Sequence, residues 1–586
     1  MIHSMDKKQV ADILDEMGTL FELKGENPFK CRAFHNASRV VEALTDDLNN
    51  LVETGGIRNV KGIGEHLAEI ITELSTKSKS KEYSTLKASL PAGLLEMVRI
   101  QGLGPKRVKI LYDKLKVKSI PDLKKAAEQH KLAKLEGFGE KTEENILKGI
   151  ELLSKTSDKH LYPKAKESAD KILEAVSKLK EVNRCDIAGS LRRKKEIIGD
   201  IDIVVSAAAK SRKKIFDTFV GNPEVETIVG RGDTKSSVIL KSGINCDLRI
   251  VEDKEYPYAL NYFTGSKEHN VEMRSLAKTF GWSLNEYAFT TVEEKGMKKP
   301  KPAPKCDDET DIYKALGLSY VSPELREGMG EIDAAAKHSM PTLIETTDLQ
   351  GTFHCHSTYS DGANSLEEMA KAAKNLGWQY LGIADHSKVA AYAGGLSPER
   401  VKKQQKEIDK LNSSMKDFRI FKGSEVDILT DGSLDFSDKI LASFDYVVVS
   451  VHSKFKMTED EATKRIIKAI KNKYVTILGH PTGRLLLSRE GYPVNMVEVI
   501  KAAADYGKSI EINSHPLRLD LDWRLVKYAK DKGVRICINP DAHNTSGLKD
   551  VQYGVGIARK GWLEKKDVVN TWTTKDVAKF FSSARQ

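Results

Sequence analysis

Two stretches of this 586-residue chain hold residues whose types and spacing could do chemistry. In the first, GDIDIVV, Asp200 and Asp202 stand two positions apart. Successive side chains of a strand point to opposite faces, so the two carboxylates share one face and Ile201 and Ile203 take the other. Adjacent carboxylates repel and are costly to leave unpaired where they are partly buried, and a divalent cation removes that cost. Asp247, in INCDLRI, can join from a neighbouring strand. Three oxygen ligands suit Mg2+, which keeps room for water and substrate phosphates. Two such ions about 4 Å apart stabilise the attacking and leaving oxygens of a phosphoryl transfer. Just upstream, Gly189-Ser190 and Arg192-Arg193 offer a triphosphate a backbone turn, a hydroxyl and a guanidinium fork. An exposed edge strand alternating acidic and apolar residues would read the same way, and the basic loop ahead of it argues against that.

In the second stretch, GTFHCHSTYSDG, His354 and His356 lie one residue apart and Asp361 follows five residues on. Strand alternation puts both imidazoles on one face and Cys355 on the other. Such a pair makes a poor core and a good pair of ligands, but alone it does not settle metal binding. Further ligand types stand at the ends of apolar runs: His386 in ADHS, Glu425 in GSEVDI, His452 in SVHS, His480 in LGHP, and Asp541 with His543 in PDAH. A lone strand-end histidine is more often structural. Nine ligand types at successive strand ends are not all spare, because α/β barrels gather their active sites there. Mixed imidazole and carboxylate donors suit Zn2+ or Mn2+ better than Mg2+, and several bridged ions would activate water and hold a scissile phosphate. His515, in NSHP, reads equally as a supporting or substrate-facing residue and as ordinary surface.

These residues need elements to carry them. Residues 1 to about 155 read as helical, with apolar spacings of three and four. Three Gly-apolar-Gly turns each precede a helix: Gly62-Ile63-Gly64, Gly102-Leu103-Gly104 and Gly137-Phe138-Gly139. The glycines allow a tight turn and close backbone approach, and the helix start offers free N–H groups to a phosphate. One copy would be a helix cap. Three copies, one followed by Lys106, Arg107 and Lys109, point to helix-hairpin-helix DNA binding, which grips backbone phosphates without reading sequence. From Arg184 short β-branched runs predict a mixed sheet with helices, followed by helical and irregular segments to about 320. EEKGMKKPKPAPK is expected as an exposed loop and ELREGMGEIDAAAKHSMPTL as a linker. From Leu349 onward strand–helix alternation predicts a mostly parallel, barrel-like α/β domain.

The bulk numbers set outer limits. Hydrophobic content of 40% and charged content of 30% fit a soluble globular chain of several domains. No apolar run reaches the roughly 18 residues that would span a membrane. The start, MIHSMDKKQVADILDEM, reads as an amphipathic helix without a signal core, so a cytoplasmic protein is expected. The cysteines Cys31, Cys185, Cys246, Cys306, Cys355 and Cys537 are scattered and read as reduced thiols. The net charge of +10 is compatible with a polyanionic partner. Gln101–Lys118 concentrates six basic residues against one acidic, a pattern that alone would be a solvated helix face.

GSLRR, GDIDIVV, CDLRI, YFTGSKEHN and LNEY, in that order, resemble the DNA polymerases of family X, the family of polymerase beta, over roughly residues 1–320. The resemblance implies that Asp200, Asp202 and Asp247 bind two Mg2+ (or Mn2+) ions, one travelling with the incoming dNTP, and that Asp247 helps to activate the primer 3′-hydroxyl. It places Gly189, Ser190 and Arg193 at the triphosphate. Tyr262, Phe263 and Gly265 fall against sugar and base, Asn270 at the minor-groove edge of the nucleotide, and Arg274 on the template side. One departure matters. The lysine with which the animal enzyme attacks abasic sugars through a Schiff base falls on Ile70, which cannot do that chemistry. His66 stands where a further lysine is expected and Asp46 and Asp47 lie nearby, so lyase activity by that route is not expected.

Residues from about 349 to 580 resemble the PHP (polymerase and histidinol phosphatase) domain, whose trinuclear site the nine residues from His354 to His543 named above fill position for position. Asn539-Pro540 ahead of Asp541 departs from the usual small residues without removing a ligand. An intact set implies a working phosphoesterase with three Zn2+ or Mn2+ ions. The whole chain is similar to the bacterial and archaeal family X polymerases that carry a C-terminal PHP domain. The expected fold is multidomain: helix-hairpin-helix domains at 1–80 and 81–158, an α/β nucleotidyltransferase palm at 159–257, a dNTP-selecting thumb at 258–320, a linker at 321–348 and a distorted (β/α)7 PHP barrel at 349–586. The expected function is gap filling in DNA base excision repair on gapped or primer–template DNA. A metal-dependent 3′–5′ exonuclease and abasic-site cleavage accompany it, in a monomer with no membrane partner. Three other readings stay open: an end-processing nuclease with weak polymerase, a DNA-binding protein whose metals are structural, and a small-molecule phosphatase.

Overall fold

Capped amphipathic helices build the N-terminal part. Asn27 accepts the Phe29 amide ahead of the helix Pro28–Ala43, and Ser119 accepts the Asp122 amide ahead of Ile120–Glu128. Two separate cores result. One gathers Leu14, Met17, Phe21, Phe34 and Ile71, and the other Met97, Leu103, Val108, Leu111 and Phe138. The computed structural model describes every residue except 1–4, 6, 45–46, 101, 157, 293–301 and 584–586. Most of the expected exposed loop EEKGMKKPKPAPK therefore lies outside the described residues, as does Asp46.

Next comes a five-stranded sheet made of β1 (Arg184–Ile187), β2 (Asp200–Ser206), β3 (Val225–Arg231), β4 (Lys235–Leu240) and β5 (Asn245–Val251), in the order β1-β2-β5-β4-β3. β2 and β5 run parallel in a register that sets Asp202 opposite Asp247. Ile201 and Ile203 face the other way, into a core with Ile172, Phe216 and Phe219. A further core holds Met273, Trp282, Phe289 and Tyr313. The segment expected as a linker is no free tether, because Val321, Leu325, Ile332 and Ala335 belong to this same core. Several of its charges are buried too. Arg326 is fully buried, 2.7 Å from Glu309, and Glu331 lies 2.8 Å from His269.

The last part is a closed set of parallel strands. Gly351–Thr352, Tyr380–Ile383 and Arg419–Lys422 form one sheet, and Glu425–Asp427, Val448–Ser450, Ile477–Leu478, Ser509–Asn513 and Ile536–Asn539 form the other. The third and fourth segments are two halves of one path broken at Gly423-Ser424, which leaves seven paths, as expected. Parallel bridges Cys355–Ala542 and His386–Glu425 join the sheets on both sides. Gly423 leaves room for the Tyr446 ring, whose hydroxyl lies 2.5 and 2.9 Å from the carbonyl oxygens of Phe353 and Ile383. That plug pins the strand leading into His354.

The barrel is clamped onto the sheet and helices before it. Lys560, fully buried, donates to Glu327 Oε1 at 2.6 Å and to the Arg193 carbonyl at 3.0 Å, and lies over the Trp523 ring. Trp523 in turn donates to Glu196 at 3.1 Å, and Arg559 to Glu324 at 2.8 Å. A buried pair holds only while both partners are present, and removing one strands a charge at a cost of about 3–5 kcal/mol. Lys560→Met should accordingly lower the urea midpoint of the transition reported by Trp282 and the barrel tryptophans by an amount worth about 3 kcal/mol. An unchanged midpoint would show that the clamp carries no stability.

Candidate active sites

The palm site follows from strand register. Asp202 and Asp247 are directly paired across β2 and β5, and Asp200 stands two residues before Asp202 on the same face. Burial, and then the charges of Asp200 and Asp247, push the Asp202 carboxyl up to about 7. Asp247 is held by Ser237 at 2.6 Å and by Lys235 at 2.5 Å. The three carboxylates share a face but do not close into a tight cluster, since Asp247 is turned to Lys235. Gly189, at φ +63°, lies so close to Asp202 that any side chain there would strike its carboxylate. A hard cation fits this oxygen-only donor set, whose mutual repulsion it would relieve.

The turn expected to hold a triphosphate is partly engaged inside the protein. Arg193 is buried, donating to Glu327 at 3.0 Å and to the Thr264 carbonyl. Arg192 reaches Thr264 Oγ1 at 2.7 Å and Glu309 at 2.5 Å. Arg193, expected at the triphosphate, is thus paired here with a carboxylate 134 residues away. Ser190 remains partly exposed. Tyr262 and Phe263 sit edge to face, 5.2 Å apart, at the end of the helix Tyr256–Thr264, and Gly265 ends it at φ +69°. Asn270 donates to the Tyr262 carbonyl at 2.8 Å, and Arg274 is half-buried on the next helix.

The barrel site converges around one buried carboxylate. Glu425 Oε1 lies 2.9 Å from His480 Nε2 and 3.0 Å from His452 Nε2, while Oε2 lies 2.9 Å from His386 Nδ1 and 3.3 Å from His354 Nε2. Asp541 Oδ1 is 3.1 Å from His356 Nε2, and Asp361 Oδ1 is 3.4 Å from His543 Nε2. Three groups have donor atoms within 4.8 Å of one another: His356, Asp361, His386 and His543; His354, His356 and Asp541; and His386, Glu425 and His452. His480, the ninth expected ligand, stands outside these groups but touches Glu425. Burial would raise the Glu425 carboxyl, but the surrounding imidazoles outweigh it and hold it well below the usual range. Burial, and then the charges of His543 and His386, pull His356 down to about 3. Despite these close approaches, His354 Nε2, His356 Nδ1, His386 Nδ1, Glu425 Oε2 and His480 Nδ1 are buried and make no well-aligned hydrogen bond among the described residues. Buried polar atoms almost always find a partner, and a divalent cation with N and O ligands would supply one to each.

Residues that the sequence reading passed over complete this site. Glu511, buried within SIEIN, lies 2.7 Å from His354 Nδ1 and accepts the Asn539 side chain at 2.9 Å and the His480 amide at 3.0 Å. Asp427 lies 3.3 Å from His452 Nδ1, and Arg518 Nε lies 3.5 Å from Asp541. A carboxylate bonded to the far nitrogen of a ligand histidine fixes its ring and tautomer. The available signal was an acidic residue inside an otherwise apolar strand. Asn539, noted only as a departure, accepts the Phe353 amide at 3.0 Å and so ties the closing strand to the first. His515 accepts the Leu517 amide at Nδ1, and its pKa is lowered, first by burial.

The three glycine turns have the geometry that close approach requires. Gly62, Gly102 and Gly137 have φ of +95°, +85° and +82°, while Ile63, Leu103 and Phe138 are buried. At Gly64, Gly104 and Gly139 an added Cβ would meet nothing within 4 Å among the described residues, so no internal contact there explains the glycine. Lys106 is exposed, whereas Arg107 donates to the Gly102 carbonyl at 2.8 Å and braces the turn. In the first domain a cavity of about 760 Å3 is lined by Lys24, Lys30, Arg58, His66, Ile70 and Lys81 among others. Ile70 is buried, His66 lies 2.7 Å from Glu82, and Asp47 caps the helix Leu48–Glu53.

Asp202 sets a pH dependence. A cation must displace its proton, so Mn2+ affinity at the palm site, read by calorimetry, should fall about tenfold per pH unit below 7 and level off above it. Because its folded value lies above the ordinary 3.8, the ionised group opposes folding more as pH rises between the two values. Asp202→Asn should therefore raise Tm of the metal-free protein at pH 8. A pH-independent affinity would contradict this.

Comparison with known proteins agrees with this geometry. Family models match for a helix-hairpin-helix domain at residues 5–80, a SAM-like helix-hairpin-helix tandem at 94–151, the DNA polymerase beta thumb at 259–327 and the PHP domain at 352–515. The DNA polymerase/3′–5′ exonuclease PolX of Bacillus subtilis is 39% identical over 580 residues, 98% of this chain and 99% of that protein. A probable phosphatase of Thermoanaerobacter sp. is 31% identical over 237 residues, 37% of this chain and 89% of its own length. Another, from Caldanaerobacter subterraneus, is 32% identical over 209 residues, 32% of this chain and 74% of its own. A beta-type thumb, paired helix-hairpin-helix units and a PHP barrel in one chain, with full-length identity to PolX, make this protein a member of the PHP-containing family X DNA polymerases.

Proposed function

We propose that the chain fills short gaps in DNA during repair and trims 3′ ends with a second, separate active site. The observation that supports this most is the barrel's intact ligand set with its partnerless buried atoms, joined in one chain to an Asp202–Asp247 pair on a polymerase palm. Divalent cations, Mg2+ or Mn2+ at the palm and three Zn2+ or Mn2+ at the barrel, supply charge neutralisation for phosphate oxygens and an acidified water. The rest is done by this chain. Asp200 and Asp202 hold the triphosphate side of the palm site, and Asp247 accepts the primer 3′-hydroxyl proton after releasing Lys235. Ser190 and the Gly189 turn receive the triphosphate, with Arg193 joining once Glu327 lets it go. Tyr262, Phe263, Gly265 and Asn270 shape the pocket for sugar and base, and Arg274 touches the template strand.

The three glycine turns and Lys106 hold the duplex by its phosphates. In the barrel, His354, His356, Asp361, His386, Glu425, His452, His480, Asp541 and His543 hold the cations. Glu511 and Asp427 orient His354 and His452, and Arg518 binds the scissile phosphate. Abasic-site cleavage belongs to this same centre, since Ile70 closes the Schiff-base route. The domains are placed at 1–80, 81–158, 159–257, 258–320 and 349–586, with 321–348 as a packed connector. The protein acts as a cytoplasmic monomer.

A second reading, phosphomonoester hydrolysis by the barrel, has the probable phosphatases among the relatives in its favour. A 5′-labelled primer in a one-nucleotide gap, resolved on a denaturing gel with Mn2+, separates the possibilities. Asp200→Ala/Asp202→Ala should abolish extension by at least a thousandfold and keep shortening, and His354→Ala/His356→Ala should do the reverse. Shortening that survives in the histidine variant, or that wild type lacks while releasing inorganic phosphate from small monoesters, would overturn the nuclease assignment.

A further inference from the structure

The rim of the barrel site carries an aromatic side chain that no part of the metal chemistry uses. Ser387–Leu396 leaves the strand end at His386, makes one tight turn and returns. Its ends are joined by a Ser387–Leu396 bridge and by the Leu396 amide donating to the His386 carbonyl at 2.8 Å. The loop is pinned along its length. The Val389 amide donates to Asp435 at 2.8 Å, the Gly395 amide to the Ala390 carbonyl at 3.0 Å, and Arg400 to the Gly394 carbonyl at 2.6 Å. Ala390 and Ala393 are buried, and between them Tyr392 is 74% exposed at the edge of the site. Its ring centroid stands 6.3 Å from that of His386, and its hydroxyl makes no hydrogen bond among the described residues. The pinned loop thus leaves a large, mostly exposed ring beside a ligand.

The surroundings match. Val389 and Leu517 are exposed at the same rim, the latter next to Arg518. Lys388 and Lys454 each stand exposed two residues beyond a ligand histidine, and neither has an ion pair among the described residues. A ring with a free face, flanked by apolar patches and cations beside a phosphoester centre, has the chemistry of a single-stranded nucleic acid end: a base to stack and phosphates to attract.

We propose that Tyr392 is the platform on which the base of the 3′-terminal nucleotide stacks, and that this contact selects an unpaired DNA end and presents its last phosphodiester to the barrel centre. The inference rests on the nuclease reading above and adds the residue that recognises the end. Stacking on an aromatic face is tolerant of base identity, so digestion without strong sequence preference follows. A base still paired in the duplex cannot lie on the ring, so frayed or mismatched ends are taken first.

The test uses the full-length protein with Mn2+ and two 5′-labelled single strands. One ends in an ordinary nucleotide and the other in a tetrahydrofuran abasic unit, which keeps the phosphodiester but has no base. Tyr392→Ala should raise KM for the ordinary strand about tenfold with kcat little changed, and Tyr392→Phe should behave as wild type. On the abasic-ended strand all three proteins should be equal. Gap-filling extension by Tyr392→Ala serves as the folding control and should match wild type. An unchanged KM, or equal losses on both strands, would overturn the stacking role. Release of no nucleotide from either strand by wild type would instead overturn the nuclease reading beneath it.

Discussion

One carboxylate governs the C-terminal half of this protein. Glu425 is fully buried, and both its oxygens are surrounded by imidazole nitrogens brought in from strand ends far apart in sequence. A buried charge is tolerated only when compensated, so the strands must end where they do and His354, His386, His452 and His480 must turn inward. The outer partners Glu511 and Asp427 follow from the same requirement, because an imidazole that faces the centre with one nitrogen needs something for the other. The palm obeys a similar rule on a smaller scale. Asp202 is pushed upward by burial and by two neighbouring acids, a strained arrangement that is useful only where a cation relieves it.

The two sites are mechanically joined though chemically separate. Lys560, on a barrel helix, bonds Glu327, and Glu327 bonds Arg193, four residues beyond the glycine that abuts Asp202. The side chains of the Gly189–Arg193 turn are thus partly set by the barrel. This gives the connector a purpose: it carries Glu324, Glu327 and Glu331, each buried against a basic partner.

Much of this was legible in the sequence, and the part that was not has a common cause. Period-two alternation put Asp200 with Asp202 and His354 with His356, and glycine spacing located the three hairpins, because these are local rules. The pairing of Asp202 with Asp247 depends on a parallel register between segments about forty residues apart, which no local pattern encodes. ELREGMGEIDAAAK reads as exposed because acidic, glycine-rich composition usually is, whereas Glu324, Glu327 and Glu331 find basic partners on distant elements. The Arg193–Glu327 pair likewise joins residues 134 apart that no local pattern links. Glu511 and Asn539 were passed over because a single polar residue in an apolar strand has no periodic signature, although its very presence there is informative.

The central claim is that Glu425 and its neighbours form a metal centre independent of the palm. Elemental analysis of the purified full-length protein, after exposure to Zn2+ or Mn2+ and removal of loose ions, tests it directly when Glu425→Gln and Asp200→Asn/Asp202→Asn are carried through alongside. The account predicts that wild type and the aspartate variant retain the same tightly bound metal and that Glu425→Gln loses most of it. Equal metal in Glu425→Gln and wild type would contradict it.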